Sequence, residues 1–178
     1  MAPRIVAISG KSGCGNTTVS RLLAERLGVR LINYPFRAMA VDRGVSFEEM
    51  LKTANMDPDY AYDRALDAKQ VELARAGDCV IGSRLAMWLL PDAALHVYLG
   101  GSLEARAARI HEREGNSLNE KLIFTRERDR SDHARYLKIY GIDNDDLSNA
   151  DLVINTELWM PEAIVEIVSL AIGSRKTS

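Results

Sequence analysis

Cysteine is scarce in this sequence. The two present, Cys14 and Cys79, stand in neither a Cys-x-x-Cys nor a Cys/His spacing, so neither a disulfide framework nor a structural zinc organises the fold. His96, His111 and His133 are the three histidines, scattered without ligand spacing, and no metal centre built on imidazole is expected. No apolar run approaches the roughly 18 residues a spanning helix needs. The opening Met-Ala-Pro-Arg-Ile-Val-Ala-Ile is too short for a secretory signal. Neither sign of charge is in surplus: 23 basic against 25 acidic residues leave −2, and that removes any general attraction to nucleic acid or acidic lipid. The absences describe a reduced, cytoplasmic protein with no nucleic-acid or membrane partner. An anion site must then come from local placement of charge.

The chain has 178 residues, 47% of them apolar and 27% charged, which suits one globular domain over 1–178 working as a monomer or small homo-oligomer. Short apolar runs alternate with helical patterns throughout. Arg4 to Ser9, Arg30 to Asn33, Cys79 to Gly82, Leu95 to Leu99 and Leu152 to Asn155 read as five strands. Helical spacing fills Thr18 to Leu27, closed by Gly28, and three stretches between Pro35 and Ala76, with a cap at Ser46 and a break at Asp57-Pro58. Further helices start at Ser102, Ser117 and Pro161, and the tail Gly173 to Ser178 reads as frayed. Apolar strands each followed by a helix predict an α/β fold, a parallel sheet covered on both faces. The helical stretches 35–76 and 102–140 read as insertions over the strand ends, where such sheets bind ligands.

The strongest motif follows the first strand. Gly10-Lys11-Ser12-Gly13-Cys14-Gly15-Asn16-Thr17-Thr18 meets G-x-x-x-x-G-K-[ST] at every defined position but one. Glycines let the backbone wrap a phosphate, and successive N–H groups at a helix N-terminus form an anion nest. Thr17 stands where a hydroxyl meets Mg²⁺. Asn16 stands where the pattern has lysine, so the cation facing the β- and γ-phosphates is missing. Lys11 is the nearest replacement. Further on, Arg128, Asp132 and Arg135 lie at i, i+4 and i+7 and share one helix face, two guanidiniums flanking a carboxylate. Arg106, Arg109 and Arg113 share another face, with Arg106 read as part of its solvated side.

With the loop GKSGCGNTTVSRLLAERLG, the segments FRAMA and GSRLAMWL, the helix RERDRSDHARYLKIYGID and the ending DLVINT, the chain resembles cytidylate kinases of the short archaeal type over nearly its whole length. The resemblance implies a P-loop NTPase three-layer sandwich with a five-stranded parallel sheet. It implies transfer of the γ-phosphate of ATP, with Mg²⁺, to CMP or dCMP. It also implies Arg37, Arg84, Arg128, Asp132 and Arg135 as residues on the acceptor and the transferring group, and Arg109 and Arg113 as lid arginines near the donor. The sequence departs from the family at Asn16, at Gly82, where these kinases carry Asp or Glu, and in the shortened segment Asn33 to Arg37. Two other readings follow from those departures: a nucleotide-sensing module without catalysis, and a P-loop kinase for another small acceptor.

Among the remaining residues, Cys14 beside a helix N-terminus is expected to have a lowered pKa while serving mainly as a small loop residue. Trp88 and Trp159 read as core or lid anchors. Tyr60 and Tyr62 read as helix surface, and Asp143 to Asp146 as loop and capping charges.

Overall fold

The computed structural model describes residues 4–174. Five strands, β1 (Ile5–Ser9), β2 (Arg30–Ile32), β3 (Cys79–Gly82), β4 (Leu95–Gly100) and β5 (Leu152–Asn155), form one sheet in the order β2-β3-β1-β4-β5, every pair parallel. β1 is buried at all five positions because it lies at the centre with helices on both faces. The outer strands β2 and β5 alternate or expose residues, as edges do.

Helix α1 (Asn16–Leu27) and the last helix, α8 (Pro161–Ser174), cover one face. Val19, Leu23 and Ala24 meet Ile164, Val168 and Ile172 there, over Ile8, Val80 and Val97. Between β2 and β3 run α2 (Phe36–Asp42), α3 (Phe47–Met56) and α4 (Ala61–Arg75). α4 packs back on the second face, placing Ala74 in a core with Ile5, Ala7 and Ile81. α2 and α3 have a small core of their own around Met39, Ala40 and Met50. After β4 come α6 (Leu103–Glu114) and the long α7 (Leu118–Tyr140), packed on each other.

The predicted boundaries agree closely where a cap sets them. Ser46 accepts from the Glu49 N–H, Ser102 from Ala105, and Ser117 forms a reciprocal capping box with Glu120. Gly28 ends α1 in the left-handed region at φ 65°. Three differences have clear causes. α1 starts at Asn16, two residues earlier than its apolar spacing suggests, because Gly15 at φ 89° turns the loop directly into the helix. A short helix, α5 (Ala86–Leu89), lies in the apolar segment after β3; the buried Ser9 hydroxyl accepts from the Met87 N–H and holds it. α8 runs through Gly173 to Ser174, beyond the predicted start of fraying, and residues 175–178 lie outside the described residues. Among the described residues no helix is long and apolar enough to cross a membrane.

Candidate active site: a phosphate loop facing three guanidiniums

The centre of a parallel sheet whose neighbours leave in opposite directions is where the strand ends open a crevice. Here β1 ends in that position, and Gly10 to Gly15 carry the chain into α1. A Cβ on Gly10 would lie 2.5 Å from both the Leu99 carbonyl oxygen and Cys14 Sγ, so only glycine lets the loop leave the sheet here. Gly13 has φ +83°, and a Cβ there would lie 2.6 Å from the Arg106 carbonyl oxygen. No side chain caps the N-terminus of α1, so its first N–H groups are available to an anion.

Arg106 does not sit on a solvated helix face. It is 5% exposed; its guanidinium donates to the Ser12 carbonyl at 3.0 Å and grips Asp129 of α7 in two hydrogen bonds of 3.1 and 2.6 Å. The side chain thus fastens loop, α6 and α7 together, and the sequence pattern showed only its spacing. Arg109 is fixed beside it, donating to the Gly13 carbonyl at 3.4 Å and to Thr156 Oγ1 at 2.8 Å. Cys14 is 1% exposed, and burial pushes its thiol up, outweighing the helix N-terminus, Arg106 and Arg109. The expected lowering is therefore reversed. Trp88 packs edge-on to Tyr98 at the core, whereas Trp159 is 50% exposed and anchors nothing in the core.

The loop forms one wall of a pocket of about 650 Å³. Residues 10–18 line it, together with Arg84, Arg128 and Arg135 from the far wall and Arg109 and Arg113 from α6. Arg84 bridges the walls: it donates to Ser12 Oγ at 3.3 Å and pairs with Asp132 at 3.4 Å. Arg135 pairs with Asp132 at 2.8 Å and with Asp63 at 3.6 Å. Asp132 therefore holds Arg84 and Arg135. Arg128 forms no ion pair among the described residues, and burial and the Arg84 guanidinium both hold its pKa below the ordinary value. A half-buried cation beside another cation, open to a pocket, is a site waiting for an anion.

Arg37 is not brought into this group. It is exposed on α2, its guanidinium 4.5 Å from the centre of the Phe47 ring, and it does not line the pocket. α2 and α3 pack on each other and turn that side chain outward. Arg113 lines the rim and pairs with Glu114.

Sequence reasoning passed over a third wall. Asp63, Asp67 and Gln70, at i, i+4 and i+7 of α4, all face the pocket. A polar stripe where α4 turns inward was the available signal. Tyr140 donates to Asp67 Oδ2 at 2.7 Å, and Gln70 donates to the Tyr34 carbonyl at 3.3 Å. Burial pushes the Asp67 carboxyl up to about 6.

Residues 5–158 match the model of the cytidylate kinase-like family. The chain belongs to that family. A cytidylate kinase of Pyrococcus horikoshii is 41% identical over 170 residues, covering 94% of this chain and 88% of the relative. Cytidylate kinase 2 of Borreliella afzelii is 41% identical over 172 residues, covering 96% and 97%. In fold, the chain is similar to a shikimate kinase from Bacteroides thetaiotaomicron, with a TM-score of 0.64 at 16% identity over 97% of this chain and 99% of that one. The fold is the P-loop kinase sandwich.

Positions 16 and 82, singled out in the sequence, are neighbours in the structure. Asn16 donates to the Ser83 carbonyl at 3.3 Å and accepts from Ser20 Oγ at 3.2 Å. A Cβ on Gly82 would lie 2.3 Å from Ser20 Oγ, 2.8 Å from Ser20 Cβ and 3.2 Å from Asn16 Oδ1. Asn16, Ser20 and Gly82 are thus one neutral, packed patch, with no isolated charge buried. Lys11 pairs with Asp145 at 2.5 Å; Asp145 lies in the loop after α7, where Asp143, Asn144 and His133 also meet.

The raised Asp67 carboxyl has a consequence for stability in this cytidylate kinase-like chain. The folded state binds the proton more tightly than the unfolded chain, whose carboxyl titrates near its ordinary value of 3.8. Its contribution is fully present below that value and is lost as pH rises through about 6, so the ionised group costs stability at pH 7. Asp67→Asn is expected to stabilise by about 1–2 kcal/mol at pH 7, after allowing for solvent screening. The gain should vanish below pH 4. Thermal unfolding of both proteins at pH 7 and at pH 3.5 measures it.

Proposed function

We propose that this protein is a nucleoside monophosphate kinase that moves the γ-phosphate of ATP, with Mg²⁺, onto CMP or dCMP. The observation that carries the reading is the convergence of Arg84, Arg128 and Arg135 on the pocket whose opposite wall is the glycine loop. Phosphoryl transfer asks little covalent chemistry of a protein; it asks for anion binding, alignment and excluded water.

In this reading residues 10–18 wrap the donor's β- and γ-phosphates with backbone N–H groups. Arg109 and Arg113 flank the donor side. Arg84 and Arg135, oriented by Asp132, hold the acceptor phosphate, and Arg128 meets the charge that builds between the two. Arg37 would reach the acceptor only if α2 and α3 closed over the pocket. The Thr17 hydroxyl, exposed to the pocket at the start of α1, fits a Mg²⁺ ion arriving on the phosphates; Gly82 offers that ion no carboxylate. When bound, the metal supplies charge neutralisation on the phosphate oxygens.

Lys11 is the candidate for the cation that Asn16 lacks. Its pairing with the half-exposed Asp145 is worth at most about 1 kcal/mol, so exchanging that partner for a phosphate is inexpensive. Lys11→Met is expected to lower kcat about 100-fold and to raise the KM for ATP, while Asp145→Asn stays within about threefold of the parent. Unchanged kcat and KM in Lys11→Met would end the role given to Lys11.

A coupled assay with ATP·Mg²⁺ and CMP, dCMP, UMP or AMP tests the whole reading; absence of transfer to every acceptor overturns it. The packed Asn16–Ser20–Gly82 patch favours one rival, a module that binds nucleotide without turnover. Tight ATP binding by calorimetry in a protein inactive on all four acceptors is its signature.

A further inference from the structure

Two successive contacts join α4 to α7 behind the pocket wall that Asp63 and Asp67 line. In the first, Asp63 pairs with Arg135 at 3.6 Å. In the second, Tyr140 donates to Asp67 Oδ2 at 2.7 Å. Asp67 follows Asp63 by one helical turn, about 6 Å along the axis, and Tyr140 follows Arg135 in the same sense. The wall therefore changes character over one turn, from a guanidinium site to a carboxylate propped by a phenol. Tyr34, Phe36 and Leu66 line the same pocket as Asp67, and their ring and aliphatic surfaces suit a flat ring. A phosphate seated at Arg84 and Arg135 would leave the rest of its molecule to lie toward this end.

We propose that Asp67, held by Tyr140, is the residue that selects the acceptor's base, by accepting a hydrogen bond from an exocyclic amino group. This rests on the nucleoside monophosphate kinase reading above. An ionised carboxylate accepts hydrogen bonds and donates none. Tyr140 occupies Oδ2, and among the described residues no lysine or arginine forms an ion pair with Asp67, which leaves Oδ1 for a ligand. The amino group of cytosine satisfies it. The carbonyl at the same position of uracil would face it acceptor to acceptor, with a buried polar atom unpaired on each side, and that mismatch discriminates strongly. The selected class is an amino-bearing pyrimidine monophosphate.

Calorimetric binding of CMP and UMP to the parent, Asp67→Asn and Tyr140→Phe tests the assignment without needing turnover. The parent should prefer CMP. Asp67→Asn should weaken CMP about 10- to 100-fold and change UMP less than about threefold. Tyr140→Phe, which frees the carboxylate to wander, should weaken CMP by a smaller factor with the same dependence on base. Equal effects on both ligands, no effect on either, or a parent that does not distinguish them overturns the proposal. Unfolding curves identify any variant that has lost its fold, and Asp67→Glu, which keeps the charge and displaces it, then takes its place with the same expected loss of CMP preference. CMP binding that depends on Asp67, in a protein that transfers no phosphate, would leave this assignment standing and remove the kinase reading. Transfer to CMP and UMP alike, indifferent to Asp67→Asn, would do the reverse.

Discussion

Arg84→Met should reduce kcat/KM for phosphoryl transfer about 1,000-fold, a loss of about 4 kcal/mol of transition-state stabilisation. Among the described residues, no other pocket side chain bonds both to the phosphate loop, through Ser12 Oγ, and to the acid of the opposite wall, through Asp132. Removing it deletes a positive charge from a partly desolvated site and leaves Arg135 alone to balance Asp132. Arg84→Lys should recover only a small part, because a single ammonium does not span Ser12 and Asp132 as a planar guanidinium does. A coupled assay gives the rate, and thermal unfolding separates it from a loss of fold. A reduction of less than tenfold would show that Arg84 is a wall fitting rather than part of the reaction centre.

Gly13→Ala should abolish measurable nucleotide binding and destabilise the fold by about 2–5 kcal/mol. Two costs add. An alanine at φ +83° occupies the left-handed region, worth about 1–2 kcal/mol. Its Cβ would also stand 2.6 Å from the backbone oxygen of Arg106, so α6 must shift, an overpacking cost of about 1–3 kcal/mol. That shift disturbs the Arg106 hydrogen bond to Ser12 and opens the loop from both sides. Gly15→Ala makes the informative comparison. It shares the left-handed backbone, at φ +89°, but nothing lies within 4 Å of its added Cβ, so only the conformational cost remains. ATP affinity by calorimetry and denaturant unfolding distinguish them, and near-parental ATP affinity in Gly13→Ala would contradict the close packing of loop and α6.

The parallel sheet was legible in the chain because its interior strands are buried on both faces and must be apolar nearly throughout, as IVAIS, CVIG and LHVYL are, Ser9 and His96 apart. The caps at Ser46, Ser102 and Ser117 were legible because a side-chain oxygen there meets a backbone N–H three residues on, an interaction local enough to read from order alone. α5 was not, because it is held by Ser9, far away in sequence. Of the candidate site residues, Arg84, Arg128 and Arg135 meet around one pocket, with Asp132 paired to the first and last of them, while Arg37 turns away to Phe47. Spacing along a helix says which residues share a face; it does not say what that face meets. The same limit misplaced Arg106 and hid Asp67.

From residue order alone came the α/β architecture, the glycine loop at the end of the first strand, the guanidinium helix and the resemblance to the family. Each depends on patterns within one element or one turn, where the backbone's own geometry sets the spacing. Only the tertiary structure decided that Asn16 and Gly82 form a single neutral patch with Ser20, that Lys11 rests on Asp145, and that Asp67, on the pocket wall, is held by Tyr140. Those are contacts between distant parts of the chain, and the balance of burial against charge that governs them exists only once the chain has folded.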